Sequence, residues 1–446
     1  MTQPDTNPKP GKGSQGGVIP GTAASGGLPE EGADARFWYS EITGEQWRVL
    51  VAAGLGWMMD AMDFVLYLMA ITTLEKEFGF GPAMAGVLAS VALLTSSAGG
   101  LIFGVLADYL GRAKALMATI FIYSLCSLGT ATSQNLTQLI IWRALLGLGM
   151  GGEWSSGAVL VSESWPPKHR GKAIGLMQSC WALGYIAAAL IAAAVLPTLG
   201  WRWLFAVGVL PALLVVWIRK GVHDPEIWAE RTGAKQSASN PLKAIFGPGI
   251  ARRTLIATLL TGAVMFGYWG LFTWLPALLA SPIATGGAGM SIVRSTGWII
   301  PMQIGAFFGY TSFGFVSDAI GRRRAFMLYL FLAALLVPIY GQMTRSPSVL
   351  MVLGPLLGFF GHGYFSLFGA MLAELFPTRM RATGQGFVYN TGRALSALAP
   401  YTIGSLAAAR GIGSALALTS AFFILGALLI LAVPETKGQR LEVVTA

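Results

Sequence analysis

The chain has 446 residues, of which 54% are apolar and only 11% are charged, and its mean hydropathy is +0.63. This composition excludes a water-soluble globular protein, since such domains carry about 25% charged residues. The net charge of +10 would suit a nucleic-acid-binding protein, but the basic residues form no patch. The two cysteines lie in apolar segments and predict neither a disulfide framework nor a metal site.

The first 46 residues are polar and rich in Gly, Pro and Ser. A segment of this kind cannot bury enough apolar surface to fold. It also lacks the apolar stretch of a cleavable signal peptide. We therefore expect residues 1–46 to form a disordered cytoplasmic tail, and the first apolar segment to direct the chain to the membrane.

Apolar segments of about 18 to 25 residues, the length of a membrane-crossing helix, recur through the rest of the chain. The sequence predicts twelve such spans, at 47–71, 83–106, 115–132, 139–161, 173–196, 204–218, 255–279, 298–316, 325–343, 349–375, 384–409 and 414–433. The predicted fold class is an all-α membrane protein with twelve transmembrane helices.

Lysine and arginine are distributed unevenly between the loops on the two sides of these spans. With the N-terminus inside, seventeen of them lie in the loops between spans on the cytoplasmic side and five in the outer loops. Cytoplasmic loops of membrane proteins carry this excess of positive charge. We predict a multi-pass protein of the plasma (inner) membrane with both termini in the cytoplasm.

Two sequence patterns occur twice, about 210 residues apart and in the same order. G-x-x-x-D-x-x-G-R occurs at 104–112 and 314–322, and E-x-x-P-x-x-x-R-x-x-x-x-G occurs at 163–175 and 374–386. The chain is therefore predicted to contain two six-helix bundles, 47–219 and 254–433, with a cytoplasmic linker at 220–253 and a cytoplasmic tail at 434–446. Paired bundles of this kind enclose a substrate path at their interface.

Five charged residues lie deep within predicted spans: Asp60, Asp63, Arg143, Glu153 and Arg393. A charge at the membrane centre costs about 2.5 to 3.5 kcal/mol on insertion scales, so such residues usually line a polar path. Three acids face two arginines, and one carboxyl therefore lacks a cationic partner and can take up a proton. Asp60, Asp63 and Glu153 are the candidate proton-coupling residues.

A co-transported proton would also remove an electrical cost. A monoanion moving into the cell works against about 2.3 kcal/mol per 100 mV of membrane potential, and one proton cancels this cost. Arg393 can bind a carboxylate through two hydrogen bonds. Arg143 is either a second anion contact or a structural counter-ion of Asp63, and the aspartates themselves could be a structural pair.

Other polar residues share helix faces with these charges and are further candidates for substrate binding. Tyr67 follows the two aspartates on one stripe of the first span, and Tyr389 and Asn390 lie beside Arg393. His362 in the tenth span could be a proton relay or a packed polar residue. The glycines of the fourth span, Gly147 to Gly152, are predicted to allow close helix packing.

The repeated G-x-x-x-D-x-x-G-R pattern, the R-x-x-x-G-x-G-x-G-G-E stretch that begins at Arg143 and the closing P-E-T-K-G resemble the major facilitator superfamily. Within it, the D-x-x-D-F of the first span and the G-G-E-W at 151–154 are similar to the proton-coupled sialate, lactate and aromatic-acid symporters. The seventh span departs from the fungal monocarboxylate permeases, because it lacks their Asn, His, Gln and Asp signature.

The resemblance implies that Asp108, Arg112, Asp318 and Arg322 latch the outward-open state at the cytoplasmic face. It implies a monomeric secondary transporter that moves a small organic acid with protons by alternating access. An antiporter or exporter of organic compounds, a sugar-type proton symporter and a transporter-like receptor are the alternatives. No cofactor, metal or nucleic acid is expected, and no cluster of nucleophile, base and orienting acid indicates an enzyme.

Overall fold

The structure, a computed structural model, describes residues 38–166, 169–221, 241–377 and 380–435. Trp38–Glu41 forms a short 3-10 helix, and the chain from Ile42 onward forms one compact unit. This unit is built of helices, and no strand occurs in the described ranges.

In the described ranges twelve spans follow one another, each made of one helix or of two helices in line. Spans 1 to 6 are Gly44–Phe78, Pro82–Leu110, Arg112–Ala131, Leu136–Ser164, Arg170–Val195, and Gly200–Val207 with Ala212–Gly221. A short helix, Pro241–Ala244, precedes the second set. Spans 7 to 12 are Ala251–Ala280, Ile292–Ile320, Arg322–Gln342, Pro347–His362 with Phe365–Glu374, Arg381–Ser396 with Leu398–Arg410, and Ile412–Leu429. The predicted segments coincide with these spans to within about seven residues at each end.

Ten helices of the described chain are long and apolar enough to cross a membrane. Spans 4 and 11 do not belong to this set, and they are the spans that carry Arg143, Glu153, Asn390 and Arg393. A span with this much polar surface is costly in lipid and belongs in the interior of a bundle.

Single glycines join spans 2 and 3 and spans 8 and 9. Gly111 has φ 102° and Gly321 has φ 95°, a left-handed backbone that side chains with a Cβ rarely adopt. This geometry explains the second glycine of the repeated G-x-x-x-D-x-x-G-R pattern, because each joint reverses the chain within one residue. We call the end of the bundle at these two joints the motif end, and the opposite end the far end.

Glycines allow spans 2 and 4 to pack at backbone distance. A Cβ added to Gly147 would lie 2.2 Å from the carbonyl oxygen of Ala92, and one added to Gly151 would lie 1.7 Å from that of Ser96. The predicted packing role of these glycines is confirmed. Small residues let helices approach in this way where no water drives them together.

We expect Gly151→Ala to destabilise the protein strongly, because the backbone of span 2 cannot move away from the added methyl group. Overpacking of this kind costs about 1 to 3 kcal/mol or more. The measurement is the thermal melting temperature of the detergent-solubilised protein. Gly104→Ala is the matched control on span 2, since nothing lies within 4 Å of its added Cβ, and equal melting temperatures for the two variants would contradict the explanation.

Candidate functional site

Five charged side chains are buried in the centre of the bundle. Asp63, Arg143 and Glu153 have no exposed surface, and Asp60 and Arg393 are each 1% exposed. Counted along the helices from the motif end at about 1.5 Å per residue, Glu153 and Arg393 lie about 17 Å deep, Asp60 about 24 Å, Asp63 about 28 Å and Arg143 about 31 Å. The predicted charges therefore form one column along the bundle.

The lower part of the column contains one arginine and two carboxylates. Arg393 of span 11 is the electrostatic neighbour of both Asp60 and Glu153. Glu153 lies against Gly56, one helical turn before Asp60, where an added Cβ would be 2.5 Å from its Oε1. Neither oxygen of either carboxylate accepts a hydrogen bond.

Arg393 keeps two of its three nitrogens free. Nη2 donates a hydrogen bond of 3.4 Å to the hydroxyl of Tyr389, and Cζ lies 5.1 Å from the centroid of the Tyr389 ring. Nε and Nη1 have no hydrogen-bond partner, although the side chain is buried. Buried polar groups are usually satisfied. The arrangement thus leaves donors available to an anion.

Asp63 contacts the hydroxyl of Ser127, which also lies within hydrogen-bond distance of a backbone carbonyl oxygen. Oγ of Ser127 lies 3.2 Å from Oδ1 of Asp63 and 3.1 Å from the carbonyl oxygen of Phe205. A serine hydroxyl has one proton to donate. If Asp63 is protonated and donates to Ser127, the serine proton remains free to bond the carbonyl oxygen of Phe205. The geometry therefore accommodates a proton at Asp63.

Arg143, at the top of the column, packs on aromatic rings. Its Cζ lies 4.4 Å from the ring centroid of Tyr67 and 5.5 Å from that of Phe64. None of its three guanidinium nitrogens is hydrogen-bonded, and Asp63 is its electrostatic neighbour without a direct bond. Tyr67 donates its hydroxyl to the carbonyl oxygen of Ala85, at 2.7 Å, and so joins spans 1 and 2.

Two other predicted residues have local partners. The side-chain nitrogen of Asn390 donates to the carbonyl oxygen of Gly386. The backbone carbonyl oxygen of Asn390 accepts a hydrogen bond from the hydroxyl of Ser97 on span 2. Nδ1 of His362 lies 3.0 Å from the carbonyl oxygen of Gly358, whereas Nε2 has no partner. Asn390 thus contributes to the contact between spans 11 and 2, and His362 presents one free nitrogen.

Aromatic side chains surround the column and connect the two halves. Trp57 and Trp181 lie 4.7 Å apart at 43°, and Trp269 of span 7 makes edge contacts with Trp181 and Phe64. The ring of His362 is enclosed by Tyr268, Phe272 and Tyr310. Two tyrosines and two tryptophans of this region are also buried: Tyr185, Tyr268, Trp269 and Trp274.

Trp154 and Tyr389 stack on each other directly below the column. Their ring centroids are 3.9 Å apart and the planes differ by 2°. Nε1 of Trp154 donates to Gln178, whose amide nitrogen donates to the carbonyl oxygen of Phe365. The sequence patterns indicate Tyr389 as a site residue but not Trp154 or Gln178. The G-G-E-W stretch offered a signal for Trp154, and nothing marked Gln178.

The halves also touch on the far side of the column. Tyr185 donates to the carbonyl oxygen of Phe272, Trp274 to that of Pro400 within the second half, and Thr296 to that of Ala189. The Gly86 backbone approaches Pro400, where an added Cβ would lie 2.4 Å from its oxygen. Contacts between the halves therefore lie on both sides of the buried charged column.

At the motif end, each half contains an equivalent ion pair. Nε of Arg112 lies 3.0 Å from Oε2 of Glu163, and Nη2 of Arg322 lies 3.0 Å from Oε1 of Glu374. In each half, the arginine comes from the first repeated pattern and the glutamate from the second. The two ion pairs therefore occupy equivalent positions about 210 residues apart in the chain. The sequence showed all four residues, but not this pairing.

The acids of the same pattern have other positions. Asp318 is exposed, and the side chain of Asp108 lies outside the described residues. The backbone nitrogens of Arg322 and Arg323 donate to the carboxylate of Glu435, each at 3.1 Å. Glu435 therefore caps the positive N-terminus of span 9. No group of three His, Cys, Asp or Glu side chains in the described ranges could hold a metal ion.

Comparison with known proteins gives relatives over nearly the full length. A probable 4-methylmuconolactone transporter of Cupriavidus pinatubonensis is 33% identical, over 91% of this chain and 94% of its own. A putative metabolite transport protein of Haemophilus influenzae is 31% identical, over 90% and 100%. A sialic acid transporter of Escherichia coli is 30% identical, over 90% and 96%.

The fold is that of a solved transporter. The partially occluded, inward-open xylose transporter of Escherichia coli covers 90% of this chain and 100% of its own, with a TM-score of 0.68 and 19% identity. Residues 53–309 and 291–444 match the Major Facilitator Superfamily. The length of these matches, the twelve spans and the paired repeats lead to one assignment: the chain belongs to the Major Facilitator Superfamily of membrane transporters.

Proposed function

We propose that this transporter carries a small organic acid into the cell together with a proton, by alternating access. The observation that carries the proposal is the buried column of three carboxylates and two guanidinium groups, none of which is hydrogen-bonded to another. An unpaired buried charge is costly, so a column of this kind is suited to groups that gain and lose partners during a transport cycle.

The proton sites would be Asp63 and Asp60. Asp63 has the Ser127 geometry described above, in which a proton completes both hydrogen bonds. Asp60 lies one turn away on the same helix and faces Arg393, which the substrate also needs. Binding of the anion at Arg393 would remove the positive neighbour of Asp60 and so favour its protonation. Anion and proton would thereby bind together.

The names of the relatives support an acid as the substrate. Those relatives are described as transporters of sialic acid, of cis,cis-muconate and of benzoate. Arg393, with two free donors in a buried site, offers this chain a matching group for a carboxylate. The excess of basic residues at the motif end supports a cytoplasmic location of that end and of both termini.

Reconstituted protein tests the proposal directly. Proteoliposomes would be screened for uptake of labelled monocarboxylates, aromatic acids and sugars, with and without an inward proton gradient. We expect accumulation of at least one carboxylate that depends on the gradient, and none of the sugars. Gradient-independent uptake, or uptake of sugars alone, would contradict it.

The motif-end ion pairs would act on the conformational change. We expect Arg112→Ala and Glu163→Gln to slow transport several-fold with little change in substrate affinity, because Glu163 lies about 15 Å along span 4 from Glu153. Initial uptake rates and equilibrium binding constants would be measured for both variants. Arg202→Ala, which breaks an exposed ion pair with Glu77, is the control. A loss of binding equal to the loss of rate would place this pair in the binding site.

A further inference from the structure

We propose that the flat part of the substrate binds between the rings of Trp154 and Tyr389, and that this pair selects flat, conjugated carboxylates over saturated ones. This inference rests on the proposed function and names the substrate class of the same site. Among the described ring pairs near the column, Trp154 and Tyr389 are the only two parallel rings that come from opposite halves. Their centroids are 3.9 Å apart and their planes differ by 2°.

Both rings are held in plane by hydrogen bonds at their edges. Nε1 of Trp154 donates to Oε1 of Gln178, at 3.3 Å, and the hydroxyl of Tyr389 accepts from Arg393, at 3.4 Å. Both side chains are also at most 9% exposed. Because each ring is fixed from its own half, separation of the halves would leave two parallel walls with a slot between them.

The slot adjoins the proposed anion site. Arg393 lies one helical turn from Tyr389, and its Cζ is 5.1 Å from the Tyr389 ring centroid. In a conjugated acid the carboxylate and the ring are coplanar and directly bonded. A carboxylate that binds the free Nη1 or the free Nε of Arg393 would therefore bring its ring to the level of the Tyr389 face.

In the structure each ring covers the face of the other that the substrate would contact. Carbon atoms of stacked groups lie about 3.5 to 4.0 Å apart, so a flat ring enters only when the walls separate by about that distance. Trp154 lies on span 4 and Tyr389 on span 11, and the separation is therefore a movement of one half against the other. A puckered, saturated ring is thicker and lacks the faces that stack.

The other aromatic groups do not offer such a slot. Trp57 and Trp181 are tilted by 43°, and Trp181 and Trp269 meet edge to face at 82°. Phe266 and Phe422 are stacked at 3.8 Å, but both belong to the second half, on spans 7 and 12. They would not separate in a movement between halves, and Phe422 thus provides a matched control.

The test measures binding of matched acids to the purified full-length protein, from the concentration that raises its melting temperature. The pairs are benzoate with cyclohexanecarboxylate and trans,trans-muconate with adipate, each one flat and one saturated. Since one stacking contact corresponds to about a two- to tenfold change in affinity, we expect the flat member of at least one pair to bind at least fivefold more tightly.

Trp154→Leu and Tyr389→Leu should bring this ratio close to one, whereas Trp154→Phe and Tyr389→Phe, which keep an aromatic face, should retain most of it. Phe422→Leu should leave it unchanged. A wild-type ratio near one, a ratio that survives in both leucine variants, or one that is lost in Trp181→Leu instead would overturn the inference. If no carboxylate binds at all, the proposed function itself fails. The wild-type ratio and the phenylalanine variants remain informative should a leucine variant not fold.

Discussion

Replacing Asp63 with asparagine should abolish uphill uptake of the acid while exchange of internal for external substrate continues. An amide has nearly the size of a carboxyl group and can still accept from Ser127, but it does not cycle a proton. With one proton per monoanion, an inward gradient of one pH unit supports about tenfold accumulation, since one unit corresponds to about 1.36 kcal/mol. The variant should reach no more than the external concentration.

Asp60→Asn and Ser127→Ala refine this result. If Asp60 is the proton site, its variant and not that of Asp63 loses accumulation; if both are needed, both lose it. Ser127→Ala keeps the carboxyl group and should retain coupling with a lower rate. Asp318→Asn, a change at an exposed carboxylate, is the control for the amide substitution. Full accumulation in both aspartate variants would show that these residues only hold span 1 against its neighbours.

The helices and the repeat could be predicted from sequence because their signals are local. The length of an apolar segment indicates whether it can cross the membrane, and basic residues in a loop indicate that the loop is cytoplasmic. The depth of Asp63 and Arg143 also follows from counting along a helix. Their similar depth predicts that Asp63 and Arg143 can pair. In the structure Arg143 packs on Tyr67 and Phe64 instead and forms no direct ion pair with Asp63.

The contacts between side chains of different spans could not be predicted in this way. Trp154 and Tyr389 are 235 residues apart, and no periodicity in either span indicates that their rings meet. The Ser127 contact with Asp63 likewise depends on how span 3 packs against span 1. Helix packing sets these distances to within fractions of an ångström, and single-sequence patterns carry only the direction of each face.

The two halves contribute different charged residues to the column. All three buried acids of the column lie on spans 1 and 4, whereas Arg393 lies on span 11 of the other half. A movement that separates the halves therefore changes the distance between Arg393 and both Asp60 and Glu153. Electrostatic coupling inside a low-dielectric site depends strongly on such distances. Substrate at Arg393 and protons on the acids can thus bias the same conformational equilibrium.

Arg393→Ala should reduce binding of the acid by a factor of about 100 or more. Its removal leaves the anion unpaired in a buried site, and breaking a buried pair costs about 3 to 5 kcal/mol. Arg393→Lys should also bind weakly, because lysine keeps the charge but lacks the planar fork that holds a carboxylate through two bonds. We expect the order wild type, lysine, alanine in affinity.

The comparison of an acid with its uncharged amide, for example benzoate with benzamide, makes this test specific. If Arg393 binds the carboxylate, the wild-type protein prefers the acid strongly and the alanine variant loses most of that preference. Removal of Arg393 also leaves Asp60 and Glu153 without their cationic neighbour, so a general loss of stability would lower affinity for acid and amide alike. A preference that survives intact in the alanine variant would make Arg393 structural. The anion contact would then have to be sought at Arg143, whose three nitrogens are also free of hydrogen bonds.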